Sequence, residues 1–130
     1  MVCADTSFLI ALIRRDHDAE RKLETFVLEE EISTTSICAC ELYAGAFKST
    51  KREAESKKVR ELLSRMKLLD FSAQACQRFG KIRQEMEAAG TPIGDLDLMI
   101  ASVALVHNQA VLTLDTDHSG KIPGLIVETW

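Results

Sequence analysis

Short apolar runs alternate with stretches in which apolar residues recur every third or fourth position, and the alternation persists along the chain. Val2-Cys3-Ala4 reads as a buried strand that ends in Asp5 and passes through Thr6-Ser7 into the apolar run 8–13. Ser7 is placed to cap that helix, its oxygen accepting from a free backbone N–H. A polar break at 14–18 precedes a second helix with Ala19, Leu23, Phe26 and Val27 on one face, closed by Glu29-Glu30-Glu31. Ile32-Ser33-Thr34 is a short strand, and Thr35-Ser36 offers a cap for a third helix over 37–47. Residues 48–58 are charged and lack glycine and proline, so they read as the exposed start of a helix continuing through Val59, Leu62, Leu63 and Met66. A strand over 68–71 follows, and Ser72 caps a helix striped by Ala75, Phe79, Ile82, Met86 and Ala89, which Gly90 and Pro92 stop. Gly94-Asp95 opens a helix over 96–107, 110–114 is a buried strand, 115–123 a loop, and 125–127 a last short strand.

Strands that alternate with helices predict a three-layer α/β/α fold around a mostly parallel sheet of about five short strands. One domain over 1–130 is expected. In such sheets the ligand crevice lies at the carboxyl ends of the strands, so an acid at the tip of the first strand is well placed for chemistry. No apolar run approaches the ~20 residues needed to span a bilayer, and no basic segment followed by an apolar one marks the N-terminus, so a cytoplasmic protein with no membrane contact is expected. The four cysteines form no C-x-x-C pair and are expected as buried, reduced thiols. His17, His107 and His118 form no H-E-x-x-H arrangement, and zinc spacing is absent. The net charge of −4 argues against gripping nucleic acid by bulk charge. It leaves room for a metal-loaded site, because a cation reverses the local sign.

Several acids point to one pocket, each with a plainer reading beside it. Asp5 ends the first strand, where a carboxylate is also favoured by the helix dipole. Glu41 stands among apolar residues in the third helix, where a carboxylate is costly without a cation or donors; the plainer reading is a solvent-facing glutamate. Gly45, one turn on, would let a backbone or substrate approach. Asp95 and Asp97 lie too close in sequence to share a helix face; Asp95 is read as the N-cap and Asp97 as a first-turn carboxylate aimed outward. Asp115 and Asp117 follow the strand 110–114, where acids also serve as turn formers. Clustered carboxylates protonate or hold a divalent cation, and oxygen-only donors favour Mg²⁺ or Mn²⁺.

On these residues the sequence resembles the PIN-domain ribonucleases, and within them the VapC toxins of toxin–antitoxin modules. The resemblance rests on Asp5-Thr6-Ser7, Glu41-Leu42-x-x-Gly45, Gly94-x-x-Asp97-Leu98-Met99-Ile100-Ala101, Thr113-x-Asp115, and the ending Ile122-Pro123-Gly124-Leu125-x-Val127-Glu128-x-Trp130. It implies a PIN-like fold and an acidic quartet of Asp5, Glu41, Asp97 and Asp115. Asp5 and Asp97 would bind Mg²⁺ or Mn²⁺ directly, Asp115 directly or through water, and Glu41 would orient the metal-bound water. Thr6, Ser7 and Thr113 would be supporting hydroxyls. It further implies an endoribonuclease leaving a 5′-phosphate and a 3′-hydroxyl, and a homodimer silenced by a small VapB-like antitoxin. One departure stands out. The loop after Asp115 carries Thr116-Asp117-His118-Ser119 where the family often has an aromatic. Either Asp115 or Asp117, and either Asp95 or Asp97, therefore stays open as the ligand.

Two rivals share the doubly wound outline. A phospho-acceptor receiver wants adjacent acids after strand one and a lysine after the last central strand; an aspartyl phosphatase wants its acid pair after a strand. The sequence supplies neither. A non-catalytic RNA- or partner-binding PIN-like module remains the alternative. For RNA contact the candidates are Arg14, Arg15, Lys48, Lys51 and Arg52, otherwise a solvated charged surface, and the few exposed-type aromatics give little sign of a stacking platform.

Overall fold

The computed structural model describes residues 1–29 and 32–130, with the side chains of 27–29 left aside. Five strands, β1 (Val2–Ala4), β2 (Ile32–Thr35), β3 (Lys67–Leu69), β4 (Ala110–Leu112) and β5 (Val127–Glu128), form one parallel sheet in the order β3-β2-β1-β4-β5. The helices are α1 (Thr6–Ile13), α2 (His17–Glu29), α3 (Ser36–Lys48), α4 (Arg52–Leu63), α5 (Ala73–Ala88), α6 (Asp95–Val106) and the single turn α7 (Thr116–Ser119). No helix among the described residues is long and apolar enough to cross a membrane.

The sheet period of two sorts the core. Val2, Ala4, Ile32 and Leu112 pack with Phe8, Leu9 and Leu12 of α1, Leu23 of α2, Cys38 and Leu42 of α3, and Val59 and Leu62 of α4. Cys3 and Val111 turn to the opposite face and meet Ala104 of α6. Leu69, Ala75 and Val103 join α5 and α6 to that second face. Parallel strands covered on both sides carry no polar alternation, which is why β1 reads as an uninterrupted apolar run.

The central strand β1 lies between β2, reached directly by the chain, and β4, reached only after β3 and the return through α5 and α6. The winding direction reverses there, so the β1/β4 gap is the switch point where such sheets bind ligands. Ala4 is in register with Leu112, and the Asp5 N–H donates to the Leu112 carbonyl at 3.1 Å. Asp5 and the chain leaving β4 thus flank one crevice.

Several boundaries differ from those read in the sequence, each for a local reason. The charged stretch 48–58 does not open one helix. Lys48 ends α3, the Ser49 N–H caps the Ala46 carbonyl at 3.1 Å, and α4 begins at Arg52. β3 starts at Lys67 and is shorter than expected. β4 ends at Leu112 because the Leu114 N–H is taken by the Ser7 hydroxyl at 3.1 Å. The expected loop after it contains α7, and the final strand pairs through Val127–Glu128. Of the acidic run proposed to close α2, Glu30 and Glu31 lie outside the described residues, and so does the side chain of Val27. α5 ends as its glycine predicts. Gly90 adopts φ 73°, its N–H reaches the Glu87 carbonyl at 3.1 Å, and the Thr91 N–H reaches Met86 at 2.9 Å. The chain is thereby turned toward α6.

Only Cys3 and Cys38 are buried, where loss of solvent pushes both thiols up out of the reactive range. Cys40 and Cys76 are exposed, contrary to the expectation for all four, because both fall on outward helix faces.

Phe8 is fully buried and meets the Trp130 ring edge-on at a centroid distance of 4.8 Å. Phe8→Ala is expected to lower the free energy of unfolding by about 3–5 kcal/mol in urea denaturation. A loss below about 1 kcal/mol, the level of an ordinary surface change, would show that the cavity collapses.

Candidate functional site

The site grows from two adjacent hydroxyls. Asp5, not Ser7, caps α1: its Oδ1 accepts the Phe8 N–H at 3.2 Å. Ser7 lies inside the helix, where its hydroxyl donates to the same Asp5 oxygen at 2.6 Å while accepting the Leu114 N–H at 3.1 Å. The expected Ser7 cap fails because Asp5, two residues earlier, already occupies the capping geometry with its extended backbone. One residue away, the Thr6 hydroxyl donates to Glu41 Oε1 at 2.7 Å. Neighbouring hydroxyls on α1 therefore hold a carboxylate at the tip of β1 and another on α3. In each, the second oxygen has no hydrogen-bond donor among the described residues.

Glu41 is brought to this edge by the α3 start. Thr35, fully buried at the end of β2, caps the helix by accepting the Cys38 N–H at 3.1 Å. Glu41 is half-buried rather than facing solvent.

Asp97 enters in the first turn of α6. The N-cap is Gly94, which offers no side chain; Asp95 does not cap. Instead Asp95 is exposed and bonded to Arg83 Nη1 of α5 at 2.5 Å, because that guanidinium competes successfully for the carboxylate. Arg83 also reaches Glu87 at 3.1 Å. Asp97 makes no hydrogen bond among the described residues, and its Oδ2 lies 3.7 Å from the position a Cβ on Gly94 would take. Its carboxyl is pushed above the ordinary carboxylate range. Although the residue is exposed, the largest cause is partial loss of solvent around the carboxyl, followed by the charges of Asp115, Glu41 and Asp5 in that order, with His118 acting in the opposite sense. Asp115, Glu41 and Asp5 thus lie near enough to act on Asp97. Among the described residues, no three His, Cys, Asp or Glu side chains are drawn together into a ready cation cage.

Asp115 caps α7, its Oδ1 accepting the His118 N–H at 3.2 Å. The His118 Nδ1 sits 3.0 Å from that oxygen and 2.9 Å from the other, and this contact holds the Asp115 carboxyl below its usual range. The fully buried Thr113 supports the turn by accepting the Asp115 N–H at 3.0 Å. Asp117 is exposed and makes no hydrogen bond or ion pair among the described residues. His118 is the residue that sequence reasoning passed over. Its i,i+3 distance from Asp115 on a short turn was the available signal, where a search for H-E-x-x-H spacing sees nothing.

Free carboxylate oxygens on Asp5, Glu41 and Asp97, without thiolate or free imidazole among them, make a hard donor set that fits Mg²⁺ or Mn²⁺.

A sequence model of the PIN domain matches residues 2–121. Ribonuclease VapC2 of Rickettsia felis is 35% identical over 127 residues, covering 97% of this chain and 95% of that protein. The tRNA(fMet)-specific endonuclease VapC of Salmonella typhimurium is 38% identical over 96 residues, 74% of this chain and 73% of that protein. The crystal structure of DNA-bound VapBC2 from Rickettsia felis superposes with a TM-score of 0.94 at 33% identity, covering 100% of this chain and 99% of that one. DNA-bound VapBC from Salmonella typhimurium gives 0.91 at 34% identity, with the same coverage. The chain belongs to the PIN-domain family.

The upward shift at Asp97 fixes a sign. A carboxyl whose folded pKa exceeds its unfolded value destabilises the metal-free fold above that folded pKa, and the penalty disappears as pH falls below the unfolded value. Asp97→Asn is therefore expected to raise the melting temperature of metal-free protein at neutral pH, with the advantage vanishing in acid. Calorimetric melting across pH checks this; a lower melting temperature at neutral pH would contradict it.

Proposed function

We propose that this PIN-domain chain is a divalent-metal-dependent endoribonuclease of the VapC kind. The observation that carries the reading is the pair Thr6 and Ser7, which tie Glu41 and Asp5 to one end of α1 beside the β1/β4 switch point. The named ribonuclease and endonuclease relatives supply the reaction class.

Asp5 and Asp97 would hold Mg²⁺ or Mn²⁺ through the oxygens they leave free. Asp115, whose two oxygens are engaged by His118, contributes through water. The ion supplies Lewis acidity, making water acidic enough to attack at neutral pH and neutralising charge on the phosphate. Glu41 orients that water with the oxygen Thr6 leaves free and accepts its proton. Attack at phosphorus breaks the bond to the 3′-oxygen, which takes a proton from solvent, leaving a 5′-phosphate and a 3′-hydroxyl. Ser7 and Thr6 keep the two carboxylates in their rotamers, and Thr113 fixes the backbone at Asp115.

The Rickettsia and Salmonella structures are VapBC complexes, and by that likeness this chain acts as the toxin of a pair, a homodimer restrained by a small VapB-like antitoxin. Its place of action is the cytoplasm, where RNA lies and its cysteines stay reduced.

Purified protein is expected to cut total RNA with added Mg²⁺ or Mn²⁺, to stop with chelator, and to lose at least about 100-fold in rate in Asp5→Asn. Thr6→Val, which removes only the hydroxyl holding Glu41, is expected to cost about 10–100-fold. Mapping the new RNA ends checks the bond cleaved. Cleavage that persists in chelator, equally in wild type and Asp5→Asn, would remove the reading.

A further inference from the structure

We propose that Lys48, Lys51 and Arg52, at the turn between α3 and α4, form the track that grips the RNA strand leading out of the acidic pocket; this rests on the endoribonuclease reading and extends it from chemistry to substrate hold. Glu41, Gly45 and Lys48 fall at i, i+4 and i+7 of α3, so they share one face over ~10 Å of helix. Between the acid and the lysine that face is low. Ala44 and Gly45 are exposed, and a Cβ built on Gly45 meets nothing within 4 Å. At the helix end the turn is held in shape, with the Ser49 hydroxyl accepting the Lys51 N–H at 3.0 Å. Lys48, Lys51 and Arg52 then line one open groove of about 600 Å³, where they outnumber its single carboxylate, Glu53.

Spacing separates these cations from the rest. Arg15, Arg21, Lys57, Lys58 and Arg83 pair with carboxylates. The other cations make no ion pair among the described residues, and what sets Lys48, Lys51 and Arg52 apart is that three of these fall within five positions. Three unneutralised cations within five residues, in a chain of net charge −4, are a local reversal of sign. Arg14 and Arg15, the other basic candidates from the sequence, lie at the far end of α1 from Asp5, and Arg15 is tied to Glu20 at 3.0 Å. A strand whose phosphate sits at the carboxylates meets their repulsion. Cations two helix turns from Glu41 compensate that repulsion by holding neighbouring phosphates. An acidic protein segment would match the charge too, but the open face running back to Glu41 favours a ligand that continues into the pocket.

The test is the salt dependence of binding of a short fluorescein-labelled single-stranded RNA, read by anisotropy with the full chain in buffer free of divalent ions, so that no cleavage occurs. Each phosphate neutralised on a single strand contributes about −0.7 to the slope of log K against log salt. The variant carrying Lys48→Ala, Lys51→Ala and Arg52→Ala is expected to lose about 2 from that slope, so that a fourfold rise in salt weakens wild type about 16-fold more than the variant. Lys48→Arg retains the wild-type slope. Phe47→Ala, which removes an exposed uncharged neighbour, also leaves it unchanged. The triple variant keeps its circular dichroism and its Mn²⁺ isotherm. A slope equal to wild type in the triple variant overturns the track and leaves these cations to a protein partner or to solvent. Failure of wild type to cut RNA with metal would instead overturn the endoribonuclease reading, while the slope still decides the track.

Discussion

The constraint on which this edge of the sheet depends is that carboxylates from four separate parts of the chain lie near enough for three of them to raise the cost of ionising the fourth, Asp97. Asp97 registers it most plainly, because its carboxyl is raised by lost solvent and by the charges of Asp115, Glu41 and Asp5 together. Such an arrangement costs stability in a fold whose total margin is on the order of 10 kcal/mol. It persists because each partner is fixed from behind. Ser7 and the Phe8 N–H hold Asp5, Thr6 holds Glu41, and His118 holds Asp115. Asp97 alone has no such hold among the described residues.

The fold delivers these groups through rigid elements. β1 sits at the centre of the sheet, fully covered on both faces, so Asp5 projects from a buried, doubly paired strand. The same helix start that receives Asp5 carries both hydroxyls, and its Phe8 is locked against Trp130 from the far end of the chain. Stability and site geometry thus share one helix turn. Asp97 depends on a different anchor, the glycine-terminated end of α5 and the α6 start beside it. The two halves of the site therefore rest on opposite helical layers, and the crevice between β1 and β4 is where they meet.

Much of this was legible in the residues. Apolar runs ending in acids gave the strand tips, and Thr35, Ser72 and Gly90 marked helix ends that the structure reproduces. The misreadings share a cause: polar side chains have more than one possible partner, and spacing alone does not choose. Ser7 looks like a cap until Asp5 takes the Phe8 N–H, and Asp95 looks like one until Arg83, twelve residues earlier on another helix, claims it. The stretch 48–58 lacks both common helix breakers, so only the backbone bond at Ser49 reveals its turn. Long-range choices of this kind depend on packing that no local pattern encodes. His118 was overlooked for the complementary reason, because its role is a one-turn contact with Asp115 outside any familiar motif.

A carboxyl-carbon NMR titration of Asp97, with and without Mg²⁺, bears most directly on the central claim. The account predicts that Asp97 in the metal-free protein titrates above an ordinary aspartate, and that saturating Mg²⁺ carries its midpoint well below the ordinary value. A midpoint that is normal at the outset, or that Mg²⁺ leaves where it was, would mean that these acids neither burden one another nor share an ion.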